Sequence, residues 1–105
     1  ITQEEVYSLI EYAKTESMDW ITDNKERPAK FKDILENGTR EEIILVLKSL
    51  KEHRDELAAI GKFLHSSDEA LLNRAEKTIY NEFAFVLGIN PNQIEEFLKS
   101  KNASF

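Results

Sequence analysis

The sequence predicts an all-α fold, a compact bundle of about five helices. Three features lead there. Apolar residues recur at three- and four-residue spacing along nearly the whole chain, which places them on one face of a helix. Four cap residues are each followed three positions later by Glu or Gln: Thr2 with Glu5, Thr39 with Glu42, Ser66 with Glu69, and Asn90 with Gln93. Such a pair satisfies two orphan amide donors at a helix start. The 105 residues include only three Gly and two Pro, so sharp turns are few and long elements are favoured. No strand-like alternation of useful length competes with this pattern.

The first helix is expected from Gln3 to Thr15, with Val6, Leu9, Ile10 and Ala13 as its apolar stripe. Ile1 and Val6 flank the cap as an apolar staple, and Ile89 and Ile94 do the same near the end of the chain. A second helix is expected over Pro28–Glu36. Proline is tolerated in a first turn, where its missing amide costs nothing. Phe31, Ile34 and Leu35 share one face, and Gly38 suits a left-handed stop. The third helix is expected from Arg40 to Ile60, lined by Ile43, Val46, Leu47, Leu50, Arg54 and Leu57, with Gly61 as its stop. The fourth is expected over Ser67–Leu87, with Leu71, Leu72, Ala75, Ile79, Phe83, Val86 and Leu87 inward and Gly88 ending it. Asn90-Pro91 opens a short fifth helix carrying Ile94, Phe97 and Leu98. The tail after Ser100 is expected to fray. The two long helices should pack antiparallel, because their connection is short.

At this length the chain is one domain, residues 1–105. Hydrophobic residues make up 41% and charged residues 32%, a globular rather than a disordered composition. No apolar run approaches the roughly 20 residues that cross a bilayer, so no membrane partner is expected. Cysteine is absent, which removes disulfides, thiolate metal sites and cysteine nucleophiles and suits a reducing compartment. The chain opens on Ile1, as a fragment of a longer protein would.

Catalytic motifs are missing. There is no phosphate-binding glycine loop, no nucleophile elbow and no His-Glu-x-x-His. His53 lies among Lys51, Glu52, Arg54 and Asp55 and reads as part of a solvated helix face; His65 reads as loop and cap. The acid pairs Glu41-Glu42 and Glu95-Glu96 fall in first helical turns, where the helix dipole favours them without any catalytic role. Neither an enzyme activity nor a small-molecule substrate, metal or cofactor is expected.

Binding is the remaining class. The net charge of −6 argues against polyanion binding by the surface as a whole. One segment departs from it. Trp20–Lys32 carries four cations against two acids, while the chain on either side is net acidic. That segment also holds the only Trp. Cations beside an aromatic side chain suit contact with a nucleic-acid backbone together with stacking. The competing reading is an ordinary one: a lone Trp in a small domain is commonly a core anchor, with its Lys and Arg neighbours facing solvent.

Several stretches in fixed order also carry a resemblance: ITQEEVYSLIEYAK, then Trp20 ahead of a Lys/Arg-rich turn, then KFKDILENGTREEI, VLKSLKEHRDEL and GKFLHSSDEALLNRAEKTIYNEFAFVLGINP. Together they resemble the C-terminal helical domain of the CarD/CdnL family of bacterial transcription regulators, in its clostridial form. The resemblance spans almost the whole chain. It implies a bacterial, cytoplasmic, nucleoid-associated protein with an N-terminal domain, outside this chain, that binds the RNA polymerase β subunit. It implies that the helical domain meets promoter DNA at the upstream edge of the transcription bubble and stabilises the open complex, largely independently of sequence. By resemblance Trp20 is a wedge at the upstream fork, and Lys25, Arg27 and Arg74 are its basic DNA-facing companions. The alternative is an acidic helical protein–protein interaction domain without DNA contact, docking through Trp20 and Met18.

Overall fold

The computed structural model describes residues 1–103 and Phe105. They form five α-helices and no strand: α1 (Gln3–Thr15), α2 (Glu26–Asn37), α3 (Arg40–Ala58), α4 (Ser66–Leu87) and α5 (Ile94–Ser100), the last preceded by a 3-10 turn over Pro91–Gln93. Among the described residues, no helix is long and apolar enough to cross a membrane.

Local signals set most of the helix ends. Thr2 and Glu5 close a reciprocal capping box at 3.1 Å in each direction. Thr39 and Glu42 do the same at 3.0 and 3.2 Å. At the start of the 3-10 turn the Asn90 side chain accepts from the Asn92 amide, while Gln93 accepts from the Asn90 amide. Gly61 and Gly88 take φ of +73° and +71°, the left-handed geometry that reverses the chain after α3 and α4. In each case the next amide reaches back to a carbonyl in the last turn, Lys62 to Leu57 and Ile89 to Ala84.

Several expected ends moved. α2 starts at Glu26, two residues before Pro28, because the Asp23 side chain accepts from the amides of Lys25 and Glu26 at 2.8 Å each. Those two bonds hold the Asp23 carboxyl below the usual aspartate range. Gly38 is not left-handed, with φ of −80°. Its need for glycine is steric: a Cβ there would lie 2.6 Å from the Ile34 carbonyl oxygen. The Ser66–Glu69 box does not form. α4 begins at Ser66 itself and His65 takes the cap position without a side-chain bond. The described residues of the tail are folded onto the core rather than frayed. Asn102 turns the chain with a positive φ, and Ala103 and Phe105 are buried.

α3 is packed by α1, α2 and α4. It therefore buries more than one stripe. Ile44, Val46, Leu47 and Leu50 are fully enclosed, whereas Ile43 and Leu57 are half-buried and Arg54 is exposed. α3 and α4 run antiparallel. Arg40, at the start of α3, pairs with Glu82 near the end of α4 at 2.8 Å, and Lys51 meets Tyr80 and Glu76 in the middle. Lys51 is buried there. Desolvation pushes its ammonium below the usual lysine range, against the opposing pull of Glu76. Burial likewise raises the Tyr80 phenol above the usual tyrosine range. The core is completed by Phe31 of α2, Ile79 and Phe83 of α4, and Ile94 and Leu98 of α5.

Candidate nucleic-acid interface

The site is built on the irregular stretch between α1 and α2. Its entry is pinned from outside the segment. Lys48 of α3 donates to the carbonyls of Ala13 and Glu16 at 2.7 Å each, closing the C-terminal end of α1 with a cation. Its exit is pinned by the Asp23 turn. Between these two anchors Met18, Trp20 and Ile21 are half-buried and pack against the core.

Trp20 is contacted by three side chains. The His53 ring of α3 stacks on the indole with centroids 3.9 Å apart and planes 20° from parallel. The Arg27 guanidinium of α2 lies over the indole, its carbon 4.6 Å from the ring centroid. His53 and Arg27 thus both lie within contact distance of the indole. Phe31 meets the indole edge-on at 6.0 Å. The indole as a whole is half-buried. The surface that His53 covers is not open to stack on an unpaired base in this arrangement.

Arg27 corrects a second expectation. It is 3% exposed and does not present its charge to a phosphate. Its Nε and Nη2 donate to the two carboxylate oxygens of Asp68, at 3.0 and 2.7 Å. Nη1 donates to the Ile21 carbonyl and Nη2 also to the Asn24 side chain, each at 2.9 Å. Asp68, on α4, is 1% exposed. A buried pair of this kind survives only when the rest of the group is also hydrogen-bonded, and here each guanidinium nitrogen has at least one acceptor.

Lys25 is exposed, at the N-terminal end of α2, and forms no ion pair among the described residues. Lys30 and Lys32 on α2 share that state. Arg74 is exposed but stands apart. It faces Glu36 at the other end of α2, at 3.6 Å, and eleven residues of helix separate Glu36 from Lys25, about 16 Å of rise. The structure therefore brings Trp20 and Arg27 into contact, leaves Lys25 exposed at the start of α2, and sets Arg74 at the other end of that helix.

Two residues escaped the sequence reading. His53 is a stacking partner of Trp20 with 29% of its side chain exposed, not part of a fully solvated face. Asp68 had no local signal beyond its place in a first helical turn, where acids are common. Among the described residues no group of three or more His, Asp or Glu is placed to hold a metal ion. Comparison of the chain with protein-family models, with curated proteins and with solved structures returns no match.

Proposed function

We propose that this domain is the DNA-contacting module of an RNA-polymerase-binding regulator of the CarD/CdnL kind, one that favours the open promoter complex. The observation that carries this reading is the half-buried Trp20 ring, stacked on His53 and contacted by the Arg27 guanidinium, in a segment that also carries the exposed Lys25. An indole held in place by its neighbours suits insertion into a minor groove at a kinked or partly melted step. Lys25, supported by Lys30 and Lys32, supplies sequence-independent attraction to phosphates. Arg27 serves as the support of the wedge rather than as a phosphate contact. Arg74 serves as a separate backbone contact at the far end of α2.

The mechanism is a population shift. A factor that binds melted or kinked DNA more tightly than intact duplex moves the promoter toward the open state by the ratio of the two affinities. No covalent step is involved. The polymerase β subunit is engaged through a further domain of the same protein, and this tether raises the local concentration of an acidic module whose own DNA affinity is weak.

A second reading, an acidic protein-docking domain, has one observation in its favour. Ile60 and Phe63, in the connection between α3 and α4, are 66% and 91% exposed. Large apolar side chains in solvent mark contact sites more often when they cluster.

An NMR titration with a forked duplex and with a fully paired duplex, at low and moderate salt, separates the two. The DNA reading expects shifts centred on Trp20 and Lys25 that are stronger for the fork, fade with salt and shrink in Trp20→Ala. Shifts absent with both duplexes, together with partner binding lost in Phe63→Ser, would replace it with the docking reading.

A further inference from the structure

A tryptophan in a loop is a poor wedge unless something fixes its rotamer. Residues 16–23 of this chain have no regular secondary structure, so backbone hydrogen bonding does not hold Trp20 in place. What holds it comes from three different helices. His53 is on α3, Arg27 and Phe31 are on α2, and Arg27 is itself held by Asp68 on α4. We propose that His53 and Asp68 are positioning residues for the DNA contact: His53 directly, and Asp68 through Arg27, hold the indole in its binding orientation.

The geometry favours orientation over mere cohesion. The Arg27 guanidinium has four hydrogen bonds to three acceptor groups besides its contact with the indole, so its plane is over-determined. Two of those acceptors, Ile21 and Asn24, belong to the same stretch of chain as Trp20. Asp68 thus fixes one side of the clamp and the backbone just after Trp20 at the same time. An apolar pair in the same volume would cohere at least as well, since burying ions is expensive. It would not hold a planar cation within contact distance of the indole. The imidazole of His53, within stacking distance, prevents the indole from swinging toward α3.

This inference rests on the DNA-contact reading. It adds that wedge strength is set by how often Trp20 is in the clamped orientation, because a site competent only part of the time binds more weakly by that fraction. Trp20 is the only Trp, so its fluorescence reports on the clamp without labelling.

The test compares the wild-type chain with His53→Ala, His53→Phe, Asp68→Asn and Trp20→Ala. Acrylamide quenching and time-resolved anisotropy read the mobility of the indole where it is present. Binding of forked and fully paired duplexes at low salt reads the wedge. His53→Ala and Asp68→Asn are expected to free the indole and to weaken fork binding about 3- to 10-fold, with paired-duplex binding unchanged. His53→Phe, which keeps an aromatic layer, restores both signals. If Asp68→Asn fails to fold, the two His53 variants carry the comparison. An indole freed in His53→Ala with an unchanged fork-to-paired ratio would overturn the clamp and leave the wedge reading standing. A wild-type ratio equal to that of Trp20→Ala would overturn both.

Discussion

Removing the Asp68 carboxylate is the sharpest test of how α2 and α4 are held together. Asp68→Ala leaves the Arg27 guanidinium in place, buried and stripped of two charge-assisted hydrogen bonds, with only Ile21 and Asn24 as acceptors. Hydrogen bonds to charged groups contribute about 1.5–3 kcal/mol each, and breaking a buried pair from one side costs about 3–5 kcal/mol. The two routes agree. Domains of this size are stable by about 5–15 kcal/mol, so the variant loses a large share of its margin. At about 4–8 °C per kcal/mol, its melting temperature should fall by on the order of 15–30 °C. Thermal and urea unfolding followed by far-UV circular dichroism measure this directly, and an unchanged m-value keeps the comparison two-state. The companion variant, Arg27→Met with Asp68→Leu, removes both charges and should recover most of the loss, to within about 1–2 kcal/mol of wild type. A cost below about 1 kcal/mol for Asp68→Ala would refute the reasoning, as would a double variant no more stable than the single one. Either result would mean that water or chain movement solvates Arg27 once its partner is gone.

Two further outcomes follow from single residues. Gly88→Ala should cost about 1–2 kcal/mol from backbone conformation alone, since Gly88 is left-handed and nothing lies within 4 Å of the added methyl; Gly88→Asn should cost less, and urea midpoints rank the two. Asp23 is held below its ordinary value by the Lys25 and Glu26 amides, so its contribution to α2 is complete above that ordinary value and is lost as pH falls through the lowered one; carboxyl NMR titration together with the amide shifts of Lys25 and Glu26 should show one shared transition.

The parts of this protein that were legible from sequence are those decided within a few residues. Thr2 reaches Glu5, Thr39 reaches Glu42, and Asn90 reaches Gln93, because a capping pair closes over one turn of backbone whatever lies beyond it. Gly61 and Gly88 end their helices for an equally local reason, the absence of a Cβ. Even the early start of α2 had a local cause, the Asp23 side chain, which was outweighed in the reading by Pro28. Apolar spacing likewise identified Val6, Ile10, Phe31, Leu50, Ile79 and Phe83 as core.

What sequence spacing did not contain was the company each polar residue keeps. Arg27 read as a surface cation because its neighbours in the chain are polar; it is buried because Asp68, 41 residues later, comes to meet it when α4 packs on α2. His53 read as solvated because it lies in a charged run, yet the loop after α1 folds back and lays Trp20 on its ring. Ile44 outranks Ile43 in burial because α3 is packed by α1, α2 and α4, a circumstance no single-helix pattern encodes. The sequence alone determined the helices and many of their ends, through interactions that close over one turn. The tertiary structure decided which charges are available to a partner and how the tryptophan is held, because those depend on pairings that exist only once distant helices share one core.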